Sequence, residues 1–132
     1  MLQNFSDLKG KTLTAATRVD DRIEFTLENG DIYCLYHCQD CCESVHLEDV
    51  IGDLDDLINS RIEMAEEVTQ QGSDLDGVKL SDYRESFTWT FYKLATVKGY
   101  VTLRWYGESN GYYSESVDWG AVKKNGSIDR VW

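Results

Sequence analysis

Between Ser86 and Trp119, apolar and polar residues alternate so regularly that strand direction and shared faces follow from the pattern. Matching the apolar positions predicts three-residue turns at Val97-Lys98-Gly99 and Ser109-Asn110-Gly111, with glycine where a turn needs positive φ. That register sets Phe91 beside Trp105 and Leu103 beside Val117 on an apolar face. The opposite face then carries Tyr92, Arg104 and Ser116 in one row. Thr90, Tyr106 and Ser114 form the next, and Thr88, Glu108 and Tyr112 the third. An oily face backed by an aromatic, hydroxyl-rich face with one arginine reads as a binding surface more than an active site.

The N-terminal third reads as a meander of the same kind. Thr12–Val19 and Arg22–Glu28 are candidate strands joined through Asp20-Asp21-Arg22. Asn29-Gly30 is a two-residue hairpin signal that sets Leu27 opposite Ile32, Phe25 opposite Cys34 and Ile23 opposite Tyr36. Asp53 begins a short helix near residues 53–59, with Asp55 and Asp56 at its positive end. Across Arg61–Gln70, Ile62, Ala65 and Val68 would continue the helix from Ile58 while Ile62 and Met64 alternate as in a strand, and a break at Asn59-Ser60 favours the strand. The fold class is therefore α+β, a single domain over residues 1–132. It is predominantly an antiparallel β-sheet of six to seven strands built from meanders.

Composition narrows the partners. A formal net charge of −11 and a pI near 4.5 oppose binding to nucleic-acid polymers or anionic membranes, whose affinity rests on Lys and Arg. One local arginine can still hold a small nucleotide, and a basic protein is an equally compatible partner. No stretch has the length of a membrane span, and the N-terminus lacks a basic, then apolar, leader. The four cysteines at 34, 38, 41 and 42 fall within nine positions, where a secreted disulfide scaffold would spread them. The expectation is a reduced, intracellular protein.

Three motifs invite sharper readings. Cys38 and Cys41 have C-x-x-C spacing between His37 and His46, but a structural zinc needs a second ligand pair, and none exists elsewhere. A nucleophilic Cys41 or Cys42 needs a placed base and an oxyanion site, neither visible in sequence. The simpler reading has Cys34 and Cys38 filling the sheet interior, with no metal and no cofactor. Asp74 and Asp76-Gly77, in the loop 71–84, match too few positions of a calcium loop. Asp49, Asp53, Asp55, Asp56, Glu63, Glu66 and Glu67 crowd nineteen positions, which suits a solvated surface or mimicry of nucleic-acid phosphates.

His37-x-Gln39-Asp40-Cys41-Cys42-Glu43-Ser44-Val45 and Arg104-Trp105-Tyr106-Gly107-Glu108-Ser109-Asn110-Gly111-Tyr112-Tyr113-Ser114 resemble signatures of an uncharacterised family of small bacteriophage proteins. The resemblance runs across most of residues 8–119. It implies a phage or prophage origin and action in the cytoplasm of the infected bacterial host, and brings no assigned activity or catalytic residues. Together with the polar face, it suggests a non-enzymatic counter-defence protein that sequesters a small nucleotide signal. The binding residues would be Arg104, Tyr92, Tyr106, Tyr112, Ser114, Ser116, Thr90 and Glu108. The alternative is an acidic inhibitor that blocks a host or defence protein. The tyrosine face and Trp132 also suggest a homo-oligomer, a dimer in the simplest case.

Overall fold

Two antiparallel sheets share one apolar core. The computed structural model describes residues 2–38, 43–73, 86–109 and 114–130, with backbone alone at 72 and 73. Strands β1 (Leu13–Val19), β2 (Arg22–Leu27), β3 (Ile32–Tyr36), β8 (Asp118–Val122) and β9 (Ile128–Arg130) form a five-stranded sheet in the order β1-β2-β3-β8-β9. Strands β4 (Glu43–Ile51), β5 (Met64–Ser73), β6 (Ser86–Thr96) and β7 (Gly99–Ser109) form a four-stranded sheet in the order β4-β7-β6-β5. Every pairing is antiparallel, as the alternation required.

The short helical segment after Asp53 is a 3-10 turn, Leu54–Leu57. The Asp53 side chain caps it by accepting the Asp55 N–H at 2.9 Å. It ends at Ile58, already extended at φ −91° and ψ 138°; Asn59 follows at φ 59°, and the strand expected over Arg61–Gln70 runs from Met64 to Ser73 as β5. A second 3-10 turn, Phe5–Leu8, inserts Phe5 and Leu8 into the core. There Phe5 meets Tyr92 edge-on at 4.7 Å and Trp119 at 6.0 Å, while Tyr33 stacks on Trp119 at 5.3 Å. Phe5, Phe25, Tyr33, Tyr92 and Trp119 thus join the two sheets through one aromatic cluster.

The strand registers depart from the sequence reading by one residue at three of the four hairpins it specified. The β6–β7 loop has two residues, Val97-Lys98, so Phe91 faces Arg104 and Tyr92 faces Leu103. A one-residue slip exchanges the faces of a strand. Tyr92, Thr90 and Thr88 therefore turn toward the inner side, and Phe87, Trp89 and Phe91 turn outward. Thr96 pins the tight loop: its hydroxyl donates to the Asp56 carbonyl and accepts the Lys98 N–H at 3.1 Å. Gly99 is not at positive φ, and a Cβ there would come within 2.8 Å of an Asp56 carboxylate oxygen, the far end of a side chain that can move aside.

The Asn29-Gly30 loop is longer than its signal suggested. Leu27 N–H donates to the Asp31 carbonyl, and Gly30, at φ 93°, supplies the left-handed residue that follows a type I turn. Tyr33 and Leu35 consequently face the core in place of Cys34 and Tyr36. Lys124-Asn125-Gly126 repeats the device between β8 and β9, with Gly126 at φ 87°. The Asp20-Asp21 loop is shorter by one, pairing Val19 with Arg22. A bulge between Leu13 and Ala15 then returns Leu13 to the core. Beyond β7 the chain does not fold back as a neighbouring strand. Ser114–Val117 cross to the other sheet, where β8 pairs with β3, so Ser114 and Ser116 lie in no row with Arg104 or Tyr106.

Gly52 sits at φ 102°, and a Cβ there would lie 2.4 Å from the Tyr100 carbonyl oxygen. Gly52→Ala is expected to lose about 2–4 kcal/mol in urea unfolding, from strain and overlap together. Gly30 also has positive φ but no atom within 4 Å of a Cβ, so Gly30→Ala should lose only about 1–2 kcal/mol. Equal losses would show that the approach to Tyr100 contributes nothing.

Candidate functional site

The outer face of the four-stranded sheet carries a run of rings. Across β4, β7, β6 and β5, one row reads His46, Tyr106, Trp89, Gln70, and the next Asp49, Arg104, Phe91, Val68. Trp89 lies 4.7 Å from Tyr106 and 6.3 Å from Phe91, and Phe87 stacks on Tyr106 at 6.4 Å. The Arg104 guanidinium sits 5.1 Å above the Trp89 ring and donates to the Asp49 carboxylate. Its Nε is buried and makes no hydrogen bond among the described residues. Tyr106 donates to Glu108 at 3.1 Å, and His46 pairs with Glu48 at 2.6 Å. The cations aligned with this face, Arg104 and Lys93, are thus outnumbered by Asp49, Glu48, Glu66 and Glu108.

Of the residues predicted from sequence to bind, Arg104, Tyr106 and Glu108 share this face. Tyr92 does not: it is 1% exposed, packed on Phe5, with its hydroxyl bonded to Glu67. Thr90, 3% exposed, also points inward, while Tyr112 lies outside the described residues. Trp89 and Phe91, which sequence reasoning placed on other faces, join the cluster instead. The signal for them was present, since aromatic residues recur at 87, 89 and 91 with the period of a strand face.

Thr90, Ser114 and Ser116 belong to a second surface, a cleft of about 410 Å³ at the end of the inner face where β5 and β6 extend beyond the core. Glu67, Thr69, Gln71, Ser86, Phe87, Thr88 and Glu115 complete its lining. The Glu115 carboxylate accepts from the hydroxyls of Ser86, Thr88 and Ser109, with the Thr88 bond at 2.8 Å. These bonds dock the crossing segment onto the sheet. Among the described residues, no Lys or Arg lines the cleft.

The histidine–cysteine segment is tied to structure. His37 Nδ1 meets the Ser116 carbonyl at 2.8 Å, and Nε2 meets the Glu43 carboxylate at 3.0 Å. Cys34 is buried, whereas Cys38 is exposed rather than interior. Among the described residues no three His, Cys, Asp or Glu side chains converge as a metal site; Cys41 and Cys42 lie outside them.

Two titrations follow. Burial and the neighbouring Glu108 carboxylate push the Tyr106 phenol from 10.0 up to about 12. The stability this neutral phenol confers is intact below pH 10 and lost as pH rises toward 12, because only the unfolded chain ionises in that window. Ultraviolet titration of the parent minus Tyr106→Phe should show the step near pH 12. A step near 10 would remove the constraint. Burial likewise pushes the Cys34 thiol up to about 11, so alkylation at mildly alkaline pH should spare Cys34 and modify Cys38. Modification of Cys34 in the folded protein would contradict this placement.

No helix among the described residues is long and apolar enough to cross a membrane. Neither the curated proteins nor the solved structures yield a match to this chain. A family model does match, over residues 6–119, which takes in β1 to β7, the outer aromatic face, the crossing segment and the start of β8. The chain belongs to the family described as Domain of unknown function (DUF7448).

Proposed function

We propose that this chain is a non-enzymatic binding protein that blocks a basic region of a host or defence protein with the outer face of its four-stranded sheet. The observation that carries the reading is the state of Arg104: it is paired with Asp49 and packed over Trp89. The rings of this face are thereby bordered mainly by carboxylates. Rings and carboxylates together attract Lys and Arg side chains, and a net charge of −11 steers such a partner toward the face. The resemblance of the His37–Val45 and Arg104–Ser114 signatures to bacteriophage proteins supplies the setting, a phage product acting in the infected bacterial cytoplasm. Stoichiometric capture suits a site that combines rings and charges without a placed nucleophile and base.

A second reading, sequestration of a small nucleotide signal, draws on the unpartnered Nε of Arg104 beside the Trp89 and Tyr106 rings. There a base would stack, and its phosphate would compete with Asp49 for the guanidinium.

Native mass spectrometry after incubation in bacterial lysate separates the two. The expected result is one bound polypeptide, released by salt. Trp89→Ala should weaken its binding by about 2 kcal/mol, roughly thirtyfold in Kd. Retention of a nucleotide, lost in Arg104→Ala, would replace this reading with sequestration. Binding of neither would overturn both.

A further inference from the structure

Three of the four sheet edges are blunted in the ways proteins use to prevent strand addition, and the fourth is not. The β1 edge is bulged between Leu13 and Ala15, and Ile58 and Arg61, after the Leu54–Leu57 turn, bridge to it at Leu13 and Thr12. The β9 edge is three residues long. The β4 edge is bulged between Leu47 and Asp49, and the Arg18 guanidinium occupies the Leu47 carbonyl at 3.1 Å. By contrast, β5 pairs with β6 through ten consecutive residues without a bulge, from Met64 opposite Ala95 to Ser73 opposite Ser86. It contains no lysine and no proline, and Glu66 through Gln71 are all exposed. Its outward N–H and C=O groups form a regular ladder with no protein partner among the described residues.

We propose that β5 is an interaction edge whose occupant is the β5 strand of a second copy of this chain, paired antiparallel about a two-fold axis. The strand's own residues suit a second copy, because its carboxylates lie only at Glu66 and Glu67 and charge restricts the register to axes beyond Glu67. With the axis at Thr69, Glu67 lies opposite the partner's Gln71, Glu66 opposite the partner's Gly72, and Val68 opposite the partner's Gln70. Each carboxylate thus meets an uncharged residue, and a carboxylate faces an amide that can donate to it. Moving the axis to Glu66 or Glu67 would set like charges against each other. The pairing joins two four-stranded sheets into one of eight strands and brings both sets of Trp89, Phe91 and Tyr106 onto one continuous outer surface.

A strand ladder buries less area than the roughly 1,600 Å² of a standard interface, so the dimer is a weak one. Two chains of charge −11 also repel, and salt relieves that repulsion. Association of copies should therefore strengthen with salt, opposite to the capture of a basic partner.

The test is sedimentation equilibrium of the full chain over a concentration series at low and high salt, with amide hydrogen exchange on the same samples. The parent protein should pass from 15.2 kDa to twice that mass as concentration rises, at lower concentration in high salt. Alternate amides of β5 should exchange more slowly as it does so. Thr69→Glu, which opposes two carboxylates at the axis, should stay at 15.2 kDa with an unchanged melting temperature at dilution. If that variant fails to fold, the exchange of the parent protein still decides. A mass of 15.2 kDa at every concentration and salt would overturn the proposal. So would a dimer whose β5 exchange does not depend on concentration.

Discussion

Burial of one ring, that of Tyr92, organises the rest of this structure. Tyr92 lies between the sheets with Phe5 at its edge, and its hydroxyl reaches Glu67 on the neighbouring strand. A tyrosine can be buried at this depth because its apolar body fills the core while its one polar atom finds an acceptor at the margin. Burial and the Glu67 carboxylate push the phenol well above its ordinary range, which keeps it neutral. Once Tyr92 is fixed inward, Leu94 and Thr90 are inward too, and Phe87, Trp89 and Phe91 have nowhere to go but the outer face. The aromatic surface is a consequence of the core.

This also explains what the sequence made legible. The antiparallel class, the turn capped by Asp53 and the apolar strands were readable from alternation and capping residues, while the stretch after Asn59-Ser60 fitted a helix as well as the strand it forms. Parity was not. On β6, apolar residues occupy both sets of alternate positions, with Phe87, Trp89 and Phe91 in one and Tyr92 and Leu94 in the other. Pattern alone cannot choose between two such faces. The choice rested on loop length, and glycine misled there: Gly99 gives room to Asp56, while Gly30 and Gly126 close three-residue loops. The contacts that settle these loops, such as Thr96 to the Asp56 carbonyl, span forty residues of sequence and leave no local trace.

The crossing segment is a further case. Alternation continues through Ser114, Ser116 and Asp118, so the stretch reads as another neighbour of β7. In the fold it is held across the sandwich by Glu115 on its three hydroxyl donors and by His37 on the Ser116 carbonyl. Val117 still reaches the core that Leu103 occupies, although the two are not strand neighbours. A periodic pattern reports which side of a strand is buried. It does not report which sheet buries it.

The one-residue slip bears on chemistry as well as on geometry. With Tyr92 outward, Arg104 would stand among tyrosine and serine hydroxyls as an uncompensated cation, which is a phosphate site. With Tyr92 inward, β4 brings Asp49 opposite Arg104, and Trp89 takes the place of the hydroxyls beneath the guanidinium. The same arginine becomes part of a neutralised, ring-backed pair. The hydroxyls gather on the other side of the sheet around Glu67 and Glu115, where no lysine or arginine among the described residues lines the cleft. Both surfaces consequently favour positive or neutral groups over phosphate. The charge of the whole chain acts in the same direction, and that shared sign is the ground for proposing a basic protein surface before a nucleotide.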